Sequence, residues 1–351
     1  MNTIQLNFAG LNVSLTTNFP GYHSYLSDYF EKIVSTESSS HHIQITFDWS
    51  EESLNTYLGG LKSSGRFTTI GANTLTADNE VATVRKLERK WKVLFHIRQE
   101  EEKLTLVVKF PKKRVKDFFR FGPFQRRPDE FFFMLTYYVL YYPLFWYLEE
   151  KKQTHALHAS ALVYRNKGVV ICGLEGIGKT SLGLMFLKEE GARFLSDNLV
   201  FYDRSHVYPC YELVRMHAQD DDFLWKDHFD QMNKFALLKG FFSPKFNASQ
   251  EGITPDIFIF PEFSSEFCVT PISSKEAVAR AVSLSHLPSE LNHYSEYRHL
   301  YNLLDLNVKP WESVYSALDV LLQTVKCYRV GMPKQDGLTR NFERLKEAVF
   351  P

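Results

Sequence analysis

A short glycine-rich stretch constrains this chain more than any other part of its sequence. Residues 173–180 read G-L-E-G-I-G-K-T, which is the spacing G-x-x-x-x-G-K-T. The apolar run 168–172 comes before it, and the run 181–187, with helical spacing, follows. Between a strand and a helix, this spacing predicts a loop whose backbone N–H groups bind the phosphates of a nucleotide. The local fold is then a strand, a loop, a helix and a further strand.

The residue types inside this loop fit the chemistry of phosphate binding. Glycines let the backbone approach an anion because no Cβ stands in the way. We expect the Lys179 ammonium to reach the β- and γ-phosphates and the Thr180 hydroxyl to ligate Mg²⁺. The residues expected to bind the nucleotide lie in the loop and at the start of the next helix: Gly173, Glu175, Gly176, Ile177, Gly178, Lys179, Thr180 and Ser181.

Composition narrows the classes of partner. The 351-residue chain carries 41 basic and 41 acidic residues, so no net charge favours nucleic acid or a membrane surface. Its four cysteines lie far apart in the sequence, which is typical of the reduced thiols of a cytoplasmic protein. The first residues lack the basic and apolar regions of a secretory signal. We therefore expect a cytoplasmic protein with neither nucleic acid nor a membrane as partner.

One apolar run resembles a membrane span in composition. Residues 131–148 are apolar or aromatic at nearly every position, but they include Pro143 and five tyrosines. The run is also shorter than the roughly 20 residues that a spanning helix needs. We predict a buried core helix.

The remaining patterns divide the chain into three parts. Residues 1–125 contain alternating, strand-like runs, a hairpin with its tip at 99–103 and a helical segment. They predict a small strand-rich α+β domain, a candidate for substrate recognition. Residues 126–153 are interpreted as a connector followed by the buried aromatic helix, and residues 154–351 as the nucleotide-binding domain.

The third part carries clear element signals around the loop. A β-hairpin is expected on either side of the turn at 165–168, and a helix after the loop is expected to end at Gly191. A single buried strand is expected over residues 192–203. Further strands and helices are predicted downstream: strands at 256–263 and 326–333, and helices at 274–285 and 337–349.

Several of these features together resemble a known family. His158-Ala159-Ser160 precedes the loop, the following helix stops at Gly191, and Asp197-Asn198 comes eighteen residues after Lys179. This order resembles the catalytic domain of HPr kinase/phosphorylase and its relatives, which share a core with phosphoenolpyruvate carboxykinase. The resemblance covers residues 154–351. It implies a mixed-sheet P-loop catalytic domain of the α+β or α/β class behind the smaller strand-rich domain.

The resemblance also implies roles for individual residues. Asp197 falls where the family keeps its catalytic base, and His158 is implied as a phosphate-side ligand or proton partner, with a core histidine as the alternative. Asn198 replaces the family's second aspartate, which weakens its implied role as a metal ligand. Glu212 and Arg215 stand near the family's next signature but without its glycines. There Glu212 would ligate Mg²⁺ and Arg215 would neutralise phosphate charge, or the two form a surface ion pair.

The implied function is a kinase that uses ATP and Mg²⁺. Divergent members of the family modify precursor peptides, so the implied acceptor is a Ser or Thr hydroxyl of a peptide or protein. Two alternatives stay open: a kinase of a small molecule, such as an amino acid or a sugar, and a nucleotide-binding regulatory protein with reduced catalysis. The HPr enzymes form hexamers, which leaves a homo-oligomer open for this chain.

Overall fold

The fold is taken from a computed structural model of the chain. It describes residues 1–8, 10–35, 41–87, 91–112, 128–217, 229–236, 239–244, 251–284, 294–304 and 312–351. Within these ranges the side chains of residues 128, 215–217, 229–236, 239–244, 312 and 313 are not described. Most of the predicted connector before the aromatic helix lies outside the described residues.

The regular elements follow in chain order. The helices are α1 (Pro20–Tyr29), α2 (Leu54–Ser63), α3 (Pro128–Thr136), α4 (Tyr142–Lys152), α5 (Lys179–Leu187), α6 (Ser274–Leu284), α7 (Tyr294–Tyr301), α8 (Glu312–Leu321) and α9 (Gly337–Val349). The strands are β1 (Asn2–Phe8), β2 (Leu11–Thr17), β3 (Ile43–Ser50), β4 (Thr68–Gly71), β5 (Thr74–Ala77), β6 (Glu80–Leu87), β7 (Trp91–Glu100), β8 (Lys103–Pro111), β9 (His155–Leu157), β10 (Ala159–Tyr164), β11 (Lys167–Cys172), β12 (Arg193–Ser196), β13 (Val200–Tyr202), β14 (Val207–Pro209), β15 (Val214–His217), β16 (Phe229–Ala236), β17 (Lys239–Pro244), β18 (Pro255–Phe263), β19 (Cys268–Ile272) and β20 (Lys326–Met332).

The chain forms two compact units. The first comprises Met1–Lys152 with two later segments, Lys234–Leu238 and His293–Val308. The second comprises Gln153–Asn233, Lys239–Asn292 and Lys309–Pro351. Both mix helices and strands, so the α+β class is confirmed at this coarse level.

The first unit is built on an eight-stranded sheet. Its strand order is β1-β2-β3-β8-β7-β6-β5-β4. The pairs β2–β3 and β3–β8 are parallel, and α1 lies in the connection between β2 and β3, as parallel strands require a crossover. The predicted hairpin is confirmed: β7 and β8 pair in antiparallel register from Leu94 and Lys109 down to Glu100 and Lys103.

The aromatic run forms the buried helix that its sequence predicts. Among the described residues, Asp129–Lys152 is the one helix long and apolar enough to cross a membrane, and 89% of its most apolar window is buried inside the protein. Such burial is usual for the core helix of a soluble protein. Residues Tyr137–Tyr141 form a π-helical turn between α3 and α4, because Pro143 has no N–H to continue the regular ladder.

The second unit contains a six-stranded mixed sheet. Its order is β12-β10-β11-β18-β20-β19, with parallel pairs β11–β18 and β18–β20 and antiparallel pairs elsewhere. The hairpin of β10 and β11 turns at Arg165 and Asn166, which have φ angles of 49° and 59° as a tight turn of this kind requires. A three-stranded sheet, β14-β13-β9, belongs to the same unit, and a further three-stranded sheet has the order β15-β17-β16.

Helices cover both faces of this six-stranded sheet. On one face Leu182 and Phe186 of α5 pack with Phe342 and Leu345 of α9 in a shared core. On the other face apolar side chains of α6 and α8 pack against the opposite sides of β10, β11 and β18. The loop at 173–178 therefore connects a central strand to a helix of the first face.

One predicted element is wrong in its extent. The sequence predicts a single strand over residues 192–203, but the structure has two short strands, β12 and β13, in different sheets. The break falls at Asn198, whose φ is 68°, a left-handed conformation that no strand accommodates. The predicted strands at β18 and β20 and the predicted helices at α6 and α9 are confirmed.

Candidate functional site

The glycine-rich loop lies between a buried strand and a helix, as its sequence predicts. β11 ends at Cys172 and α5 begins at Lys179. Gly178 precedes the helix with a φ of 93°, and Gly176 has a φ of 76°. Both values lie in the left-handed region, where any residue with a Cβ is strained. The two glycines therefore allow the loop to turn directly into the helix N-terminus, where unpaired N–H groups favour an anion.

The first glycine of the motif has a packing reason. A Cβ added at Gly173 would lie 3.1 Å from Cγ2 of Ile177 and 3.5 Å from the carbonyl oxygen of Pro261. Ile177 is buried, whereas Leu174 and Glu175 at the loop tip are exposed. The loop therefore has a fixed base against the parallel strand β18 and an open tip.

The Lys179 side chain lies within the loop and donates hydrogen bonds to its backbone. Its side chain is only 6% exposed, and its Nζ donates hydrogen bonds to the carbonyl oxygens of Gly173 (2.9 Å) and Leu174 (3.0 Å). The ammonium thus lies inside the turn of the loop. A bound phosphate would offer it stronger, charged acceptors in place of these two carbonyls.

Asp197 accepts hydrogen bonds from hydroxyl groups on two other elements. The Thr180 hydroxyl, at the start of α5, lies 2.9 Å from Oδ2 of Asp197 and 3.1 Å from Oδ1. The Ser160 hydroxyl, on β10, donates a short hydrogen bond to Oδ1. Ser160 and Asp197 are buried, at 3% and 6% exposure. Residues far apart in the sequence thus form one hydrogen-bonded group beside the loop.

The turn after β12 fixes the position of the Asp197 carboxylate. The Ser196 Oγ lies within hydrogen-bond distance of the carbonyl oxygens of Leu199 (2.6 Å) and Cys210 (2.9 Å), and so connects the turn to the residue after β14. The backbone N–H of Leu199 also donates to the carbonyl of Asp197 at 2.9 Å. Asp197 is therefore the first residue after the strand, on a constrained turn.

Asn198 and Glu212 form a separate pair. The Asn198 Nδ2 donates a hydrogen bond of 2.6 Å to Oε2 of Glu212, which is buried at 5% exposure. The left-handed backbone of Asn198 suits asparagine better than most residues. Two of the three residues predicted as metal ligands thus lie together, with the amide of Asn198 bound to the carboxylate of Glu212.

The other predicted site residues have defined places. His158 is buried between β9 and β10, and its neighbour Ala159 pairs with Cys172, the last residue before the loop. Ser181 is half-buried in the first turn of α5. Arg215 pairs with Phe241 between β15 and β17, but its side chain lies outside the described residues.

Two cysteines near this group are held in the protonated form. Burial raises the pKa of the Cys172 thiol to about 12, although the nearby Lys179 ammonium opposes the shift. Burial, and secondarily the Glu212 carboxylate, raises the pKa of Cys210 well above its usual range. Neither thiol is therefore suited to act as a nucleophile at neutral pH.

The oxygen atoms beside the loop suit Mg²⁺ bound together with a nucleotide better than they suit a metal ion that is coordinated by protein side chains alone. Within the described part of the chain, no cluster of three or more His, Cys, Asp and Glu side chains could hold a metal ion. Mg²⁺ usually takes one or two protein oxygens together with water and the phosphates of a nucleotide. Thr180 and Asp197 supply such oxygens beside the glycine-rich loop, so the residues present fit Mg²⁺ with a nucleotide.

Sequence reasoning did not include Ser160 among the site residues. It is the one serine or threonine of β10, whose residues are otherwise alanine, leucine, valine and tyrosine. A hydroxyl in a fully buried strand needs a hydrogen-bond partner. That requirement is the signal in the sequence, but it does not identify Asp197 as the partner.

No protein-family model matches the sequence, and no curated protein is significantly similar to it.

Proposed function

We propose that this chain is a cytoplasmic P-loop phosphotransferase, related to HPr kinase, that uses ATP and Mg²⁺ to phosphorylate a Ser or Thr hydroxyl of a peptide or protein. The observation that carries the proposal is the convergence of Lys179, Thr180 and Asp197 at one glycine-rich loop. Each has the residue type and the position that phosphoryl transfer needs.

The roles of the first two residues follow from their bonds. Lys179 would exchange the carbonyls of Gly173 and Leu174 for the β- and γ-phosphates, which are stronger acceptors. Thr180 donates its single proton to Asp197, so both lone pairs of its oxygen are left for Mg²⁺. When bound, Mg²⁺ would neutralise charge on the phosphates.

Asp197 is the proposed base for the acceptor hydroxyl. An ionised carboxylate has about four acceptor positions. Ser160 and Thr180 contact Oδ1, and Thr180 also contacts Oδ2, so Oδ2 can accept one further hydrogen bond. A hydroxyl bound there could transfer its proton to the carboxylate as the phosphoryl group arrives.

Binding and transfer can be tested separately. In wild type, ATP with Mg²⁺ should raise the melting temperature, and Lys179→Ala should remove most of this shift because a charge-assisted contact is lost. Asp197→Asn should keep the ATP affinity measured in EDTA within a few-fold and slow phosphoryl transfer by about 10²-fold or more. The transfer assay uses γ-labelled ATP with candidate peptides and proteins.

Lys167→Ala is the matched control for the loop lysine. Lys167 is exposed at the opposite end of the same strand, β11, so its loss should leave the ATP-dependent shift unchanged. Equal shifts in wild type and Lys179→Ala would overturn the loop assignment. Unchanged transfer in Asp197→Asn would overturn the base assignment alone.

A second candidate function is a nucleotide-binding regulatory protein without transfer activity. The Asn198–Glu212 hydrogen bond favours it, because the Asn198 amide donates to the carboxylate that the resemblance implies as a metal ligand. This candidate predicts Mg²⁺-dependent ATP binding in wild type with no transfer to any acceptor. Restoring the family's aspartate with Asn198→Asp would then be expected to increase metal affinity.

A further inference from the structure

Ser160 lies at an unusual place for a hydroxyl group. The residues of β10 alternate between the two faces of the sheet: Ala159 and Ala161 belong to one core, Leu162 and Tyr164 to the other. Ser160 shares the face of Leu162, towards α5, and is only 3% exposed. Burial of an unbonded hydroxyl is unfavourable, so a serine here requires a partner.

That partner is the carboxylate beside the loop. Ser160 donates to Oδ1 of Asp197, while Thr180 lies within hydrogen-bond distance of both carboxylate oxygens. A carboxylate bound only by Thr180 could turn about its Cβ–Cγ bond and still keep one contact. The second donor, on a different element, fixes which oxygen faces the strand and which faces the loop.

We propose that Ser160 is a positioning residue for nucleotide-bound Mg²⁺. It acts through Asp197: the fixed carboxylate keeps accepting the Thr180 proton and so keeps the Thr180 lone pairs directed away from it. This inference rests on the proposed nucleotide site. It adds a residue to that site which touches neither the nucleotide nor the metal.

The proposal predicts a specific defect in Ser160→Ala. Affinity for a fluorescent ADP analogue is measured with Mg²⁺ and with EDTA. The dissociation constant in EDTA divided by the dissociation constant with Mg²⁺ gives the Mg²⁺ contribution. Groups that orient a metal ligand typically change metal affinity by 10- to 100-fold, so we expect this ratio to fall by about tenfold. Affinity in EDTA should stay within about twofold, because Lys179 and the loop are untouched.

A double-mutant cycle separates positioning from a general structural role. If Ser160 acts through Asp197, Ser160→Ala should change the ratio in wild type but not in an Asp197→Ala background. Ser160→Cys keeps the size of the side chain with a weaker donor, and it carries the comparison if the alanine variant is unstable. Circular dichroism and the melting temperature without ligand report folding.

Thr83→Val is the matched control. Thr83 is a fully buried residue of the first unit whose hydroxyl bonds the Thr74 hydroxyl at 2.8 Å. Its replacement likewise removes a buried hydroxyl and its hydrogen bond, here to a half-buried threonine, and the Mg²⁺ contribution should stay at the wild-type value.

The outcomes distinguish this inference from the proposed function. A wild-type ratio above one that Ser160→Ala leaves unchanged would overturn the positioning role and leave the function standing. Equal fold-losses from Ser160→Ala in both backgrounds would show that Ser160 acts independently of Asp197, which also overturns the inference. Failure of wild type to bind the ADP analogue would overturn the proposed function, and the inference with it.

Discussion

The buried carboxyl group of Glu149 should make the first unit less stable as pH rises from 5 to 8. Glu149 lies in α4, and its Oε2 accepts a hydrogen bond from the Tyr294 hydroxyl at 3.1 Å. The same oxygen is 3.2 Å from Nη2 of Arg298, which also lies 3.9 Å from Glu150. Burial nevertheless raises the pKa of Glu149 from 4.5 to about 7, against the opposing effect of Arg298.

The expected magnitude follows from this pKa difference. Between pH 4.5 and 7 the folded protein holds a proton that the unfolded chain has lost, so the free energy of unfolding falls as pH rises. A pKa difference of one is worth about 1.4 kcal/mol, and the difference at Glu149 therefore amounts to about 3 kcal/mol. The stability that protonated Glu149 contributes is lost once pH exceeds the pKa of Glu149 in the folded protein, about 7.

Glu149→Gln tests this directly. The amide keeps a similar shape and still accepts hydrogen bonds, but it cannot ionise. Urea unfolding is followed at pH 5, 6, 7 and 8 by circular dichroism and by tryptophan fluorescence, since Trp146 in α4 bonds Asn302 close to this group. The wild-type curve should fall relative to the variant by about 2.5 kcal/mol between pH 5 and 8, since part of the full difference falls below pH 5.

The neighbouring carboxyl group supplies the control. Glu150→Gln removes a half-buried carboxylate that also faces Arg298, and it should retain most of the wild-type pH dependence. Parallel curves for wild type and Glu149→Gln would refute the reasoning. They would show that Arg298 and Tyr294 keep Glu149 ionised in the folded protein throughout.

Two further predictions concern the second unit. Gly168→Ala should destabilise it by about 1–3 kcal/mol, because the new Cβ would lie 2.4 Å from a backbone carbonyl oxygen. Gly183→Ala meets only ordinary contacts at 3.5 Å and should instead stabilise α5 by up to about 1 kcal/mol, so equal urea midpoints would contradict both expectations. Iodoacetamide at pH 8 should modify exposed Cys268 well before buried Cys172, because the Cys172 thiol has a pKa of about 12. Mass spectrometry of the labelled peptides measures this order, and comparable rates at the two cysteines would refute it.

Local patterns in the sequence were sufficient for much of the second unit. The hairpin around Arg165, the helix after the loop and the strands β18 and β20 were predictable because each is a short, largely apolar run with breakers or polar residues at its ends. α2 was not predicted: its apolar residues have helical spacing, but Gly59 and Gly60 lie in its middle, and glycine is a poor helix former. The break at Asn198 was missed because one residue in a left-handed conformation leaves apolar neighbours on both sides unchanged.

Sequence by itself determined the chemistry available at the loop. The spacing of Gly173, Gly176, Gly178 and Lys179 gives the loop its backbone freedom and its charge, since φ angles and residue types are local properties. The apolar runs on each side placed that loop between a strand and a helix. These features need no knowledge of how distant segments pack.

Only the tertiary structure decided which side chains meet there. Ser160, Thr180 and Asp197 come from β10, α5 and the turn after β12, and the sheet order that makes β10 the neighbour of β12 brings them together. The same packing bound Asn198 to Glu212. Hydrogen bonds between distant segments depend on register and burial across the whole sheet, and no local sequence pattern specifies these.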